Sequence, residues 1–137
     1  LKLSNAPKGS EVIFLTSSGT GAMEATVMNL FDKDDFVIVL NGGGFGERFV
    51  KICDTHKIKN HNFRLKHNEK IDFKALSEIK ADGFLINAHE TTIGRMYDLK
   101  KVAKLCKKNN LLNVVDAISC FCCDDVDMQK YNIDALI

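Results

Sequence analysis

Short apolar runs alternate along this chain of 137 residues with longer segments whose apolar positions recur at helical spacing. Runs of four to eight apolar residues are typical of buried strands, and the spaced pattern is typical of helices. Strands are predicted at 12–16, 36–40, 58–65, 83–87, 111–115 and 133–137, several of which are continuous apolar runs. The spaced segments predict helices at 21–31, 46–56, 72–80 and 99–109. This alternation predicts an α/β fold in three layers, with a mostly parallel sheet flanked by helices.

Ligands of such sheets bind at the carboxyl ends of the strands, in the loops that lead into helices. The loop after the first predicted strand contains Ser18, Gly19, Thr20 and Gly21. Its glycines permit a tight turn, and its hydroxyls can cap the helix that follows. Free N–H groups at a helix start, with the helix dipole behind them, bind phosphate. The run therefore predicts a phosphate site, although by itself it also fits an ordinary capped helix.

A carboxylate ends another apolar run, because Asp116 follows 111–115 directly. A charge at the end of a buried strand needs a partner. One possibility is that Asp116 caps the next turn through the backbone of Ile118 or Ser119. The other is that it pairs with a cofactor that presents a protonated ring nitrogen. Combined with a phosphate site, the second interpretation points to a phosphorylated pyridine.

Composition and charge give no general case for nucleic acid or membrane as a partner. The chain is 45% hydrophobic and 27% charged, with a formal net charge of +1. Its lysines at 100–108 are typical of a solvated helix face. No apolar run approaches the length of a membrane span, and the first residues lack the pattern of a signal peptide. We therefore expect a cytoplasmic protein.

Five cysteines are present, and their odd number and scattered positions make a poor disulfide framework. We expect reduced thiols. Cys120, Cys122 and Cys123 form a cluster that lacks a second cysteine pair or a histidine at the spacing of a metal site. Because buried free cysteine packs as a small apolar residue, the pattern favours packing and predicts no metal site.

Four segments, in this order and spacing, resemble the class V pyridoxal-phosphate aminotransferases, among them the serine–pyruvate, alanine–glyoxylate and 2-aminoethylphosphonate–pyruvate enzymes. They are 18–25, 41–49, 89–94 and 114–119. The resemblance implies the large domain of fold type I and the cofactor pyridoxal 5′-phosphate. It also implies transfer of an amino group from an amino acid to a 2-oxo acid or aldehyde, by a homodimer.

The resemblance assigns roles to two parts of the chain already singled out. Ser18, Gly19 and Thr20 match the residues that bind the phosphate of the cofactor. Asp116 matches the catalytic aspartate that pairs with the pyridinium nitrogen and keeps it protonated.

Three further cofactor-binding residues are implied by the resemblance alone. Phe45 matches the aromatic residue that stacks on one face of the ring, and Ile118 matches the residue on the opposite face. Thr91 matches a hydroxyl residue near the phenolic oxygen of the cofactor.

The chain also departs from the family pattern. Phe121, Cys122 and Cys123 stand where a small, glycine-rich stretch is common. Arg95 stands where an apolar residue is common, and Tyr97 where a proline is common. The Schiff-base lysine of the family falls just beyond the last residue. We therefore expect residues 1–137 to form part of a large domain in a longer protein, and to be inactive in isolation.

Two alternatives with a ligand-binding function remain open at this stage, beside a non-catalytic homologue or fragment with only an interaction role. The first is a cysteine desulfurase or another pyridoxal-phosphate lyase of the same fold. Those enzymes usually carry a histidine at the stacking position and a glutamine shortly after the aspartate, whereas this chain has Phe45 and Ile118-Ser119. The second is a nucleotide-binding α/β module that uses the glycines of 41–46, although their even spacing does not fit the dinucleotide pattern.

Overall fold

A five-stranded parallel sheet organises the chain, which the computed structural model describes from residue 1 to residue 137. The sheet has the order β2-β1-β3-β6-β7, and every neighbouring pair is parallel. A separate antiparallel pair, β4 and β5, forms a small hairpin. The strands are β1 (Phe36–Asn41), β2 (Lys59–Arg64), β3 (Gly83–Asn87), β4 (His89–Glu90), β5 (Arg95–Met96), β6 (Leu112–Asp116) and β7 (Ala135–Leu136). The predicted parallel α/β architecture is confirmed.

One helix precedes the first strand and three others lie between strands, and three of these four helices begin at a side-chain cap. Ser18, Asp72 and Asp98 each accept a hydrogen bond from a backbone N–H in the first turn of the helix that follows. Such caps satisfy N–H groups that have no partner inside the helix. The helices are α1 (Gly19–Leu30), α2 (Gly44–Thr55), α3 (Phe73–Glu78) and α4 (Leu99–Asn109). None of them has the length and apolar character needed to cross a membrane.

The two faces of the sheet carry separate cores. Val37 and Val39 of β1 face a cluster of 12 buried residues that includes side chains of α1 and α2. Ile38 and Leu40, which alternate with them, face a cluster of 18 buried residues that includes side chains of α3 and α4. Because the central strands are covered on both faces, they read as continuous apolar runs. The chain therefore has three layers, as predicted.

The predicted strand at 12–16 is wrong. This segment pairs with no strand, and its apolar side chains are exposed, with Phe14 at 91% and Ile13 at 80%. Its composition suits a strand, but a strand needs a neighbour to satisfy its backbone N–H and C=O groups. The other predicted strands and the helices form with ends shifted by two residues or fewer.

The sequence predicts that the cysteines are reduced thiols, and the structure agrees. All five cysteines are free. Burial raises the pKa of Cys53 and of Cys106 to about 12, and that of Cys120 to about 11. Cys122 and Cys123 are exposed, so of the cluster only Cys120 packs as a buried apolar residue, and the expectation that all three do so is wrong for the other two. No group of His, Cys, Asp and Glu side chains is placed to hold a metal ion.

Candidate functional site

The carboxylate of Asp116 lies at the carboxyl end of β6, where only 6% of the residue is exposed. Asn87, the last residue of β3, is its register partner in the sheet. The Asn87 Nδ2 donates to Asp116 Oδ2 at 2.5 Å, and the Ile118 N–H donates to Oδ1 at 3.0 Å. The turn-capping bond to Ile118 that the sequence allowed is therefore present. Both carboxylate oxygens are held in place, and both partners are neutral.

The charge of Asp116 has no cation beside it in the chain. Burial raises the pKa of this carboxyl, and the hydrogen bonds from Ile118 and Asn87 together with the more distant Arg48 act in the opposite direction. Glu90 raises the pKa slightly further. Asp116 takes part in none of the salt bridges of the molecule. A buried carboxylate in this state is stabilised by any ligand that brings a positive charge or a strong donor to it.

The turn at Ser18 begins α1 and leaves backbone donors free. Ser18 Oγ accepts a hydrogen bond from the Gly21 N–H at 3.3 Å. The N–H groups of Gly19 and Thr20 donate to no atom of the chain, because they are the first two residues of the helix and first-turn N–H groups have no acceptor inside it. Ser18 is exposed. The predicted phosphate turn is therefore a capped helix start with two available donors, which is the geometry of an anion site.

Ile118 joins this turn to the Asp116 loop. A Cβ placed on Gly19 would lie 2.3 Å from Cδ1 of Ile118, so the isoleucine side chain occupies the space that the glycine leaves open. The side chain is otherwise accessible, since 54% of Ile118 is exposed. The structure thus brings the N-terminus of α1 next to the loop of Asp116 and Ile118, which lies about a hundred residues further along the chain.

Phe45 lies in the first turn of α2, and its ring is half-buried. The guanidinium carbon of Arg48 lies 4.7 Å from the centre of this ring. Arg48 is also the cation whose charge lowers the pKa of Asp116. The same arginine therefore packs against the predicted stacking residue and acts electrostatically on the predicted catalytic residue.

Glu90 occupies the N-terminus of α2. Only 1% of this residue is exposed, and its Oε2 accepts hydrogen bonds from the N–H groups of Phe45 and Gly46, each at 3.0 Å. Its Oε1 accepts from the Thr92 hydroxyl at 2.5 Å. The carboxylate thus supplies the negative charge that a helix N-terminus favours. Consequently α1 and α2 differ: an internal anion fills the N-terminus of α2, and the N-terminus of α1 is open.

Thr91 is placed less tightly than the other predicted residues. Its side chain is exposed in the hairpin between β4 and β5, and it forms no side-chain hydrogen bond. The neighbouring Thr92 does form side-chain hydrogen bonds: its hydroxyl donates to Glu90, and its Oγ1 accepts from the Gly44 N–H at 3.2 Å. The role of Thr91 stays a prediction.

Sequence reasoning missed Asn87 and Glu90. A signal for Asn87 was present, because a polar residue that ends a buried apolar strand next to the strand of Asp116 must lie near the carboxylate. Glu90 had no comparable signal, since its partners lie 44 and 45 residues away in the chain. Asn87 also keeps one polar atom without a partner, the buried Oδ1.

The fold and this site define a three-layer α/β domain with free N–H groups at one helix start and a buried carboxylate at one edge of a parallel sheet. The family model of the class V aminotransferases matches residues 2–137. The chain therefore belongs to the class V aminotransferase family.

Individual relatives agree with this assignment. An uncharacterised aminotransferase of Helicobacter pylori is 38% identical over 135 residues, which cover 93% of this chain and 35% of the relative. A bifunctional phosphonoacetaldehyde hydrolase/aminoethylphosphonate transaminase of Clostridioides difficile is 32% identical, over 100% of this chain and 22% of the relative. The crystal structure of a subgroup IV aspartate aminotransferase of Thermus thermophilus superposes with a TM-score of 0.83 and 29% identity, over 89% of this chain and 36% of that one. The chain spans about a third or less of the length of these curated relatives.

Proposed function

We propose that this chain forms the pyridoxal 5′-phosphate-binding part of a class V aminotransferase. The whole protein would transfer an amino group from an amino acid to a 2-oxo acid or aldehyde, as a homodimer. One observation carries the proposal: the buried carboxylate of Asp116 has no protein cation, and through Ile118 it adjoins a helix start with free N–H groups. A ligand with a cationic ring nitrogen and a phosphate matches both features.

The residues present fit this cofactor. The N–H groups of Gly19 and Thr20 and the hydroxyls of Ser18 and Thr20 would hold the phosphate, with the dipole of α1 favouring its charge. The carboxylate of Asp116 would accept a hydrogen bond from the protonated ring nitrogen. Ile118, over half exposed, offers an apolar surface between the two.

The work of the chain is to keep a proton on the ring nitrogen. When bound, pyridoxal phosphate supplies an electron-accepting ring for removal of the proton at the substrate Cα. Ionised Asp116 stabilises the protonated nitrogen, because opposite charges in a low-dielectric site favour each other. Asn87 and the Ile118 N–H fix the orientation of the carboxylate and favour its ionised form against the effect of burial.

The two alternatives are less well supported. A phosphate-binding role for the glycines of 41–46 would require the N-terminus of α2, where the Glu90 carboxylate already accepts the N–H groups of Phe45 and Gly46. A cysteine desulfurase would be expected to carry a histidine in place of Phe45. The aminotransferase is therefore the function that the site supports best.

The direct test is titration of the purified protein with pyridoxal 5′-phosphate, followed by fluorescence quenching. We expect saturable binding that Asp116→Asn weakens by ~10- to 100-fold, because a charged hydrogen bond contributes about 1.5–3 kcal/mol. Asp124→Asn is the matched control, since Asp124 is exposed and its carboxylate accepts no hydrogen bond. Equal affinity of Asp116→Asn and Asp124→Asn, or no saturable binding by the unmodified protein, would refute the proposal. Amino-group transfer is then assayed on the whole protein with a panel of amino acids and 2-oxo acids.

A further inference from the structure

A groove of about 860 Å³ lies between α3, α4 and strand β5. Its walls contain none of the residues discussed above for the cofactor, and it opens to solvent. The volume is in the range of ligand sites on proteins. The groove is therefore a second concave surface, separate from the edge of the sheet where Asp116 lies.

The groove is strongly cationic, although the chain as a whole is nearly neutral. The complete sequence holds 19 Lys and Arg residues against 18 Asp and Glu residues. Among the residues that line the groove, Asp98 is the sole acidic one. The cations that line it are Lys70, Lys74, Arg95, Lys101, Lys104 and Lys108. Such a separation of charge attracts an anionic ligand and raises its rate of association.

Three of the lysines form a line along α4. Lys101, Lys104 and Lys108 follow helical spacing, so they lie on one face and extend over about 10 Å. Lys100 and Lys107 belong to the same helix and do not line the groove. The lysines that the sequence pattern alone assigned to a solvated face are thus divided between the groove and open solvent.

Arg95 brings an unsatisfied donor to this surface. Its Nη2 donates to the backbone carbonyl of Glu69 at 2.6 Å, and its guanidinium carbon lies 5.1 Å from the centre of the Tyr97 ring. Its Nη1 is buried and has no hydrogen-bond partner. Arg95 and Tyr97 are two positions at which this chain departs from the common family pattern. A buried cationic nitrogen without an acceptor favours a ligand that carries one.

The base of the groove suits an aliphatic side chain better than a nucleobase. Met96, which is 41% exposed, and half-buried Ile71 supply apolar surface, and the aromatic residues are Phe73 and Tyr97. Tyr97 is only 4% exposed and Phe73 packs against the core, so neither presents a free face for base stacking.

We propose that this groove binds an acidic polypeptide segment that inserts an apolar side chain between α3 and α4. Carboxylates of the segment pair with Lys104 and Lys108, since the Lys101 Nζ already lies 3.4 Å from Asp98 Oδ2. The apolar side chain contacts Met96, which is 41% exposed.

The test is fluorescence polarisation with a labelled peptide of alternating Glu and Leu, at low and at moderate ionic strength. Lys104→Glu/Lys108→Glu is expected to weaken binding by ~10-fold or more, because two attractions become two repulsions. Lys100→Glu/Lys107→Glu makes the same change of charge on the same helix outside the groove, and we expect its affinity to stay within about twofold of the unmodified protein.

Three results would overturn the proposal. One is an equal loss of affinity in both double variants, which would show attraction by net charge alone. Another is unchanged affinity for a peptide in which every Leu is replaced by Ser, since the apolar contact would then contribute nothing. The third is tighter binding of a labelled single-stranded DNA of the same charge, which would make the groove a nucleic-acid site. Far-UV circular dichroism of both variants verifies that each is folded.

Discussion

Removal of the Glu90 carboxylate tests whether an internal anion holds the loop that presents Phe45. In Glu90→Ala, the N–H groups of Phe45 and Gly46 lose their acceptor. An unsatisfied buried N–H costs about 1–3 kcal/mol, so the two together cost about 2–6 kcal/mol. Release of the buried carboxylate offsets part of this loss. We expect the free energy of unfolding to fall by about 2–4 kcal/mol.

Urea denaturation followed by circular dichroism measures this change, with Glu78→Ala as the control. Glu78 is exposed at the end of α3 and forms no side-chain hydrogen bond, so its loss should change stability by at most ~0.5 kcal/mol. Glu90→Gln keeps one acceptor oxygen and should lie between the two.

A second measurement distinguishes the effect of the negative charge of Glu90 from the effect of its side-chain packing. With Glu90 removed, α2 resembles α1, because its first N–H groups become free. Sulfate should then stabilise Glu90→Ala more than the unmodified protein, by ~1 kcal/mol at tenfold excess over its dissociation constant. If Glu90→Ala loses less than about 1 kcal/mol, or if sulfate stabilises both proteins equally, the carboxylate does not act as the anion of α2.

Three further predictions concern the site and the thiols. Gly19→Ala should weaken binding of pyridoxal phosphate by ~10-fold, because its Cβ displaces Ile118. Gly19→Ala/Ile118→Ala should recover only part of the affinity in the same fluorescence titration, because it relieves the clash and also removes the apolar surface of Ile118; a double variant that binds no more tightly than Gly19→Ala would contradict this contact. Burial raises the pKa of Asp116 above its ordinary value of 3.8, so ionisation of this carboxyl lowers the free energy of unfolding as pH rises from 3.8 through the raised pKa. In urea titrations over this interval Asp116→Asn should lose less stability than the unmodified protein; parallel pH profiles would contradict the prediction. Cys122 and Cys123 should react rapidly with a disulfide reagent at pH 8 and the three buried cysteines slowly, as measured by thiolate release; five equally fast thiols would show that the core is open.

The sequence predicts best the elements whose own residues carry a clear signal of burial or of a helix cap. The strand Gly83–Asn87 and the helix Leu99–Asn109 form with the predicted ends, since one is a continuous apolar run and the other has a cap at Asp98. The segment 12–16 has an equally apolar pattern but no neighbouring strand in this chain, and local composition cannot supply one.

Some residues of the candidate site could likewise be predicted from the sequence, and others could not. Ser18 and Asp116 could be found because each ends or begins a regular element. The contact of Ile118 with Gly19 and the bonds of Glu90 depend on how distant segments fold together, which spacing along the chain does not contain. The resemblance to a known family identified Ile118 and Phe45 as candidates, but the residues that hold them became visible only in the structure.

The pairing of Asn87 with Asp116 also has a consequence for folding. The two residues face each other only in the native alignment of β3 with β6. A slip of one residue would place Asn87 opposite a hydrophobic neighbour and turn the side chains of one strand towards the wrong face. The carboxylate would then be buried without the amide. A misaligned sheet is therefore penalised at the Asp116 carboxylate, so the hydrogen bond from Asn87 favours the correct alignment of β3 with β6.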